Sequence, residues 1–193
     1  MIVDNAALRN AVSQILVAVG EDPTRDGLVD TPARVAELFE ELYSGVGVDP
    51  ISVLNDAAEV KSAPEERGDL VALRDISFYS LCEHHLLPFE GVASVAYQPG
   101  GGIIGLGTIA RLVEVTARRP QLQERLGEMV AKALVDSGVA AGALVVISAT
   151  HGCVAYRGPK QSLTTVSIAA LGTLAEGPSR HEALLMVGGE DWA

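Results

Sequence analysis

Cysteine is scarce in this chain, with two among 193 residues. That excludes a disulfide framework, and in a reducing compartment so few thiols point to metal binding or catalysis. Phenylalanine is nearly as rare, at three residues, so Val, Leu, Ile and Ala must build the core of a chain that is 48% apolar. No apolar run reaches the roughly 18 residues needed to cross a bilayer. Met1-Ile2-Val3-Asp4-Asn5-Ala6 lacks the basic start and apolar run of a signal peptide, and the expectation is a cytoplasmic protein with no membrane partner. Basic residues are outnumbered, 14 Lys and Arg against 25 Asp and Glu, for a net charge of −11. A nucleic-acid partner normally demands a basic footprint, so none is expected. Any phosphate site must rely on a local cluster of cations against an unfavourable global field. The length suits one domain with an N-terminal appendage.

Both cysteines have a histidine within three residues. Ser80-Leu81-Cys82-Glu83-His84-His85-Leu86-Leu87-Pro88-Phe89 holds Cys82 and His85 with His84 between them, and His151-Gly152-Cys153 repeats the association far along the chain. A free cysteine is most often a small core residue, but packing explains this pairing poorly. Zinc takes thiolate and imidazole donors, and a catalytic site usually supplies three protein ligands and keeps one position for water. Cys82, His85 and Cys153 make such a set, leaving His84 and His151 for proton transfer. A closed structural site is the alternative, with His84 or His151 as its fourth ligand.

Apolar residues at Ala7, Leu8, Val12, Ile15, Leu16 and Val19 predict a helix ended by Gly20. Thr31 as N-cap, Pro32 in the first position and Gly45 past the last turn predict a second. Packing on a core or on a neighbouring subunit is enough to explain both. Residues 46–68 read as linker with room for one short strand. Strands are predicted over 70–73, 76–79 and 92–97, which sets the first ligand pair on a loop between antiparallel strands. Gly100-Gly101-Gly102 reads as a flexible turn, followed by a helix capped by Thr108 that ends at Arg118-Arg119-Pro120. A glycine-rich helix entry can hold phosphate, although no full phosphate-loop pattern is present. The next helix runs from Gln121 to Gly138, and the polarity of Gln123-Glu124-Arg125 is ordinary for a first turn. A long strand is expected over 143–156, with His151 and Cys153 on one face. A returning strand over 162–170, a short helix over 179–187 and a frayed end over the last six residues complete the chain.

Over most of its length the sequence resembles the GTP cyclohydrolase I family. Glu21-Asp22-Pro23, Arg25-Asp26-Gly27-Leu28 and Thr31-Pro32-Ala33-Arg34-Val35-Ala36 look like its N-terminal helical segment, and residues 80–89 like its zinc motif. Arg119-Pro120-Gln121-Leu122-Gln123-Glu124-Arg125-Leu126 looks like the start of its purine-recognition helix, and His151-Gly152-Cys153 like its second metal strand. The resemblance implies an α+β tunnelling fold over 69–193, an antiparallel sheet with two helices across it, preceded by an N-terminal helical segment and linker over 1–68. It implies a homodecamer with active sites between subunits. By the same resemblance, Zn2+ on Cys82, His85 and Cys153 activates water against C8 of GTP, while His84 and His151 shuttle protons. Ring opening, formate release and reclosure then give 7,8-dihydroneopterin triphosphate, the first step of folate and pterin synthesis. Glu124, assisted by Gln123, would accept the guanine N–H groups, and Arg111 and Arg157 would bind phosphates.

Two segments depart from the family pattern. Gly105-Leu106-Gly107-Thr108 stands where Gly-Leu-Ser-Lys is usual, which removes a hydroxyl and an ammonium from the triphosphate clamp. Leu163 and Val166 stand where hydroxyl residues are common. A lost charged contact to phosphate costs a few kcal/mol unless something replaces it, as backbone N–H groups near Thr108 or the Lys160 ammonium could. Three expectations follow: a GTP cyclohydrolase with a thinner clamp, a paralogue acting on a less phosphorylated guanine nucleoside or nucleotide, or a zinc-stabilised oligomeric binding protein without catalysis.

Overall fold

A computed structural model describes residues 3–55, 69–100 and 104–188. The second half of the expected linker, most of the glycine turn and nearly all of the expected frayed end lie outside them. Asp4 caps α1 (Asn5–Ala18) by accepting the Ala7 N–H at 2.9 Å. In α2 (Thr31–Leu42) the N-cap is Asp30 rather than Thr31, and Pro32 occupies the first turn, where its missing N–H costs nothing. The two helices pack on each other. Instead of a short strand, Pro50–Leu54 winds into a 3-10 helix that the Asp49 carboxylate starts by accepting the Ile51 N–H at 3.0 Å.

The strands are β1 (Val71–Cys82), β2 (Pro88–Pro99), β3 (Pro120–Gln121), β4 (Ala140–His151) and β5 (Thr164–Gly172). They form one sheet in the order β3-β1-β2-β4-β5. The four long strands run antiparallel, as expected, while the two-residue β3 lies parallel to the end of β1, so the sheet is mixed. The two short strands expected before Cys82 are one. A bulge between Leu73 and Ile76 lets β1 continue, with Asp75 at φ +57°, a conformation that Asp tolerates better than most residues.

Strand alternation sorts the side chains by face. Phe78, Phe89, Val95, Val145 and Ile147 turn to one face, under α3 (Leu106–Ala117) and α4 (Gln123–Asp136), which contribute Leu112, Leu126, Val130 and Leu134 to the same core. Each such side chain stabilises the fold by about 1.5–3 kcal/mol on burial. Ala96, Leu144 and Val146 turn to the other face, beneath Ala183 and Val187 of α6 (Gly177–Gly188). This is the expected α+β arrangement of a sheet with two helices across it, with α6 added on the far side. The register pairs Ser80 with Phe89 and Phe89 with His151. The end of β1, the start of β2 and the end of β4 are thereby brought together at one end of the sheet.

Candidate active site

Cys82 is the last residue of β1, and its own backbone shapes the turn that follows. Its N–H donates to the Leu87 carbonyl at 2.9 Å, and its carbonyl accepts the N–H groups of His85 at 3.2 Å and Leu86 at 2.8 Å. This tight turn folds His85 back over the thiol, with Nδ1 3.7 Å from Sγ.

Cys153 arrives differently from the expectation. β4 stops at His151 and the chain winds into a single helical turn, α5 (Gly152–Ala155), so no shared strand face carries His151 and Cys153. The cause lies in β2, which begins at Pro88. A proline has no N–H with which to extend the ladder past the Phe89–His151 pair. Gly152 makes the turn possible, because a Cβ there would lie 2.8 Å from the Pro88 carbonyl oxygen and 3.0 Å from the Tyr156 ring.

Despite that change, the donor atoms of Cys82, His85 and Cys153 all lie within 4.8 Å of one another. Cys82 is buried, Cys153 half-buried and His85 exposed, so the group opens to solvent on its histidine side. Burial, and then the adjacent Cys82 thiol, push the Cys153 thiol up from its ordinary value, against a weaker downward pull from Arg157. Two thiols so close resist joint ionisation unless a cation sits between them. Two sulfurs and one imidazole suit a borderline-soft divalent ion, and the residues present therefore fit a metal. Among the described residues no fourth Cys, His, Asp or Glu joins the group. Three protein donors are the pattern of a site with an open position rather than a closed structural one.

His151 is half-buried beside this group. Its ring stacks on Phe89, with centroids 4.8 Å apart and planes 7° from parallel, and its Nε2 lies 2.7 Å from Gln123 Oε1. Burial pushes its imidazole pKa down, with the Glu124 carboxylate pulling it back up. His84 is exposed in the turn, edge-on to the His85 ring at 6.2 Å, with Nε2 4.0 Å from Glu83 Oε1.

Gln123 and Glu124 open α4, where consecutive residues point in different directions. Gln123 is buried and Glu124 exposed. The next residue, Arg125, pairs with Glu83, one of the two contacts measuring 3.2 Å, and the Glu83 N–H donates to the Gln121 carbonyl at 3.1 Å. The Cys82–His85 turn is thus tied to the start of α4 through both side chain and backbone. Neither this pair nor the Phe89 stack is visible in the sequence, since both depend on register between distant segments.

Arg157 is exposed in the turn after α5, close enough for its charge to act on the Cys153 thiol. Arg111 is elsewhere. It lines a cavity of about 1120 Å³ with Ser44, Ser77, Tyr79, Gly107 and Thr108, and no member of the thiol–imidazole group lines that cavity. Thr108 does not cap α3. The N-cap is Gly105, and Thr108 sits inside the first turn with its N–H on the Gly105 carbonyl at 2.9 Å.

The family model for GTP cyclohydrolase I matches residues 8–187. The chain is similar to the GTP cyclohydrolase 1 of Leifsonia xyli subsp. xyli, at 49% identity over 186 residues and 96% of each chain. It is 45% identical to that of Bifidobacterium longum (strain DJO10A), covering 95% of this chain and 91% of the relative. It is also 45% identical to that of Halalkalibacterium halodurans, covering 97% and 98%. Among solved structures it is similar to the archaeosine synthase QueF-Like in the apo form, at 18% identity and a TM-score of 0.44, over 55% of this chain and 97% of that one. The family match runs from α1 into α6 and takes in both halves of the converging thiol–imidazole group, and with near-full-length relatives at this identity it leads to one conclusion: the chain belongs to the GTP cyclohydrolase I family.

Proposed function

We propose that this chain is a zinc hydrolase that opens the purine ring of GTP at C8, releases formate and gives 7,8-dihydroneopterin triphosphate. The observation that carries the reading is the convergence of Cys82, His85 and Cys153 within 4.8 Å, from a strand end, a turn and a helical turn. A zinc ion held by these three supplies a Lewis acid that makes water a usable nucleophile at neutral pH. Proton handling falls to the two remaining histidines of the motifs. His151, held toward its neutral form by burial, accepts a proton at its imidazole and returns it to the opening ring. His84, exposed on the rim, exchanges protons with solvent.

Glu124 offers a carboxylate to N1–H and the exocyclic amine of guanine. That pair of donors is absent from adenine, so the wrong base would leave the acceptors unpaired. Arg157, within electrostatic reach of Cys153, binds a phosphate from the same chain. Arg111 lines a separate cavity, and in this reading it reaches the triphosphate from a second copy, in a homo-oligomer with active sites between subunits, a decamer by resemblance. Two free thiols favour a reducing, cytoplasmic setting.

One observation favours a variant of this reading. The first turn of α3 beside Arg111 carries Gly107 and Thr108 and no lysine, which weakens the clamp for a triphosphate and suits a less phosphorylated guanine nucleotide. Formate release from zinc-loaded protein, offered GTP, GMP and guanosine in parallel with pterin fluorescence, tests both. GTP turnover with pterin formation is the expected result. Turnover mainly of GMP or guanosine establishes the variant, and no formate from any of them with zinc bound ends the proposal.

A further inference from the structure

Gln123 is the first residue of α4, only 2% exposed, and its carboxamide has no free end. Its Nε2 lies 3.0 Å from the Ile147 carbonyl, 3.0 Å from the Thr165 carbonyl and 3.1 Å from Ser167 Oγ, while its Oε1 faces His151 Nε2 at 2.7 Å. We propose that Gln123 is a positioning residue that locks His151 as the Nε2–H tautomer, with Nδ1 left as its acceptor nitrogen. Its effect on turnover rests on the proton-transfer reading of His151 given above.

The lock follows from hydrogen-bond chemistry. Two of the three partners at the nitrogen end are backbone carbonyls, which only accept. Turning the amide over would set its oxygen against both of them and leave the two carbonyls without that donor, with only the Ser167 hydroxyl able to donate to the amide. The nitrogen must therefore point at the Ile147 and Thr165 carbonyls, and the oxygen at His151. An amide oxygen only accepts, so the hydrogen of that 2.7 Å contact belongs to His151 Nε2. A neutral imidazole carries one N–H, and Nδ1 is then a bare acceptor. The Phe89 stack, 4.8 Å away and 7° from parallel, holds the ring plane. The three partners of Gln123 Nε2 come from β4 and β5, so the lock is anchored in the sheet rather than in a loop. A guanine could reach this amide only by breaking bonds that the fold already makes, which separates Gln123 from its exposed neighbour Glu124.

The tautomer can be read directly. The chain has four histidines, so carbon–nitrogen correlation by solid-state NMR on histidine-labelled, zinc-loaded wild-type protein resolves each ring, and His151 is assigned by its loss in His151→Asn. A proton on Nε2 and a bare Nδ1 are expected; a proton on Nδ1 overturns the proposal, whatever any variant does. Gln123→Met keeps the length and removes the polarity. With GTP it should lower kcat by about 100-fold or more while KM stays within about threefold and zinc content is unchanged. A raised KM with kcat preserved would mean that Gln123 binds the base, and would overturn the positioning role. Wild-type protein that shows Nε2–H yet releases no formate would sink the proposed activity and leave the tautomer lock standing.

Discussion

Cys153 presents its thiol from a single helical turn, so its aim depends on Gly152 as much as on its own side chain. Cys153→Ser exchanges a soft donor for a weak hard one. Because the thiol is only half-buried, the fold should survive while zinc content after dialysis falls below about a tenth of wild type, as read by metal analysis. Full zinc in that variant would remove Cys153 from the ligand set. At this scale the sequence is informative about chemistry and silent about direction. Two cysteines, each with a histidine close by, stand out in a chain so poor in both. Which of two adjacent helix residues, Gln123 or Glu124, turns inward cannot be read from composition, because the answer depends on where β4 and β5 lie beneath α4.

The pair between Arg125 of α4 and Glu83 of the Cys82–His85 turn is half-exposed, and pairs of that kind add about 0.2–1 kcal/mol to stability. Its larger effect should be to hold the turn for metal. Arg125→Ala is expected to shift the denaturant midpoint little but weaken zinc affinity by about tenfold, measured by competition with a chelator. An unchanged affinity would make the pair ornamental. In the centre of the sheet, Gly91 lets β2 approach β4 so closely that a Cβ would strike the Ser148 carbonyl. Gly91→Ala should cost about 1–3 kcal/mol, seen as a lower midpoint at constant slope. Elements were legible where periodicity was local, as in α1, α2, α3 and β5. They are not legible where a distant neighbour decides. Val154-Ala155-Tyr156 has strand character, yet it is helix and turn because Pro88 gives β4 nothing more to pair with. The interruption in β1 reads as two strands in the sequence because a bulge at Asp75 breaks the alternation without breaking the ladder.

For the molecule as a whole, several surfaces look unfinished in one copy. Ile15, Val17 and Leu38 of the α1–α2 pair and Val19 just past α1 are exposed, as are Val166 and Ile168 on the outermost strand β5. Most of β1 beyond Leu81 and Cys82 has no second strand partner among the described residues. With Arg111 lining a cavity apart from the thiol–imidazole group, the proposed assembly makes a prediction of its own. Arg111→Ala and Cys153→Ser protein, each inactive alone, should regain activity when refolded together in equal amounts. Random mixing gives roughly a quarter of the wild-type rate, since half the metal groups are intact and half of those face an intact arginine. No recovery would put both residues to work within one chain. The two cysteines add a consequence of a different kind. Cys82 closes β1, and Cys153 follows directly on a β4 whose last pair, Phe89 with His151, fixes how β4 sits against β2. A slip of one residue in that ladder would turn every β4 side chain to the opposite face and carry the second thiol away from the first. In the proposed zinc enzyme only a correctly threaded chain would close on the ion, so metal content would double as a proofreading signal that separates properly registered molecules from compact, well-hidden errors.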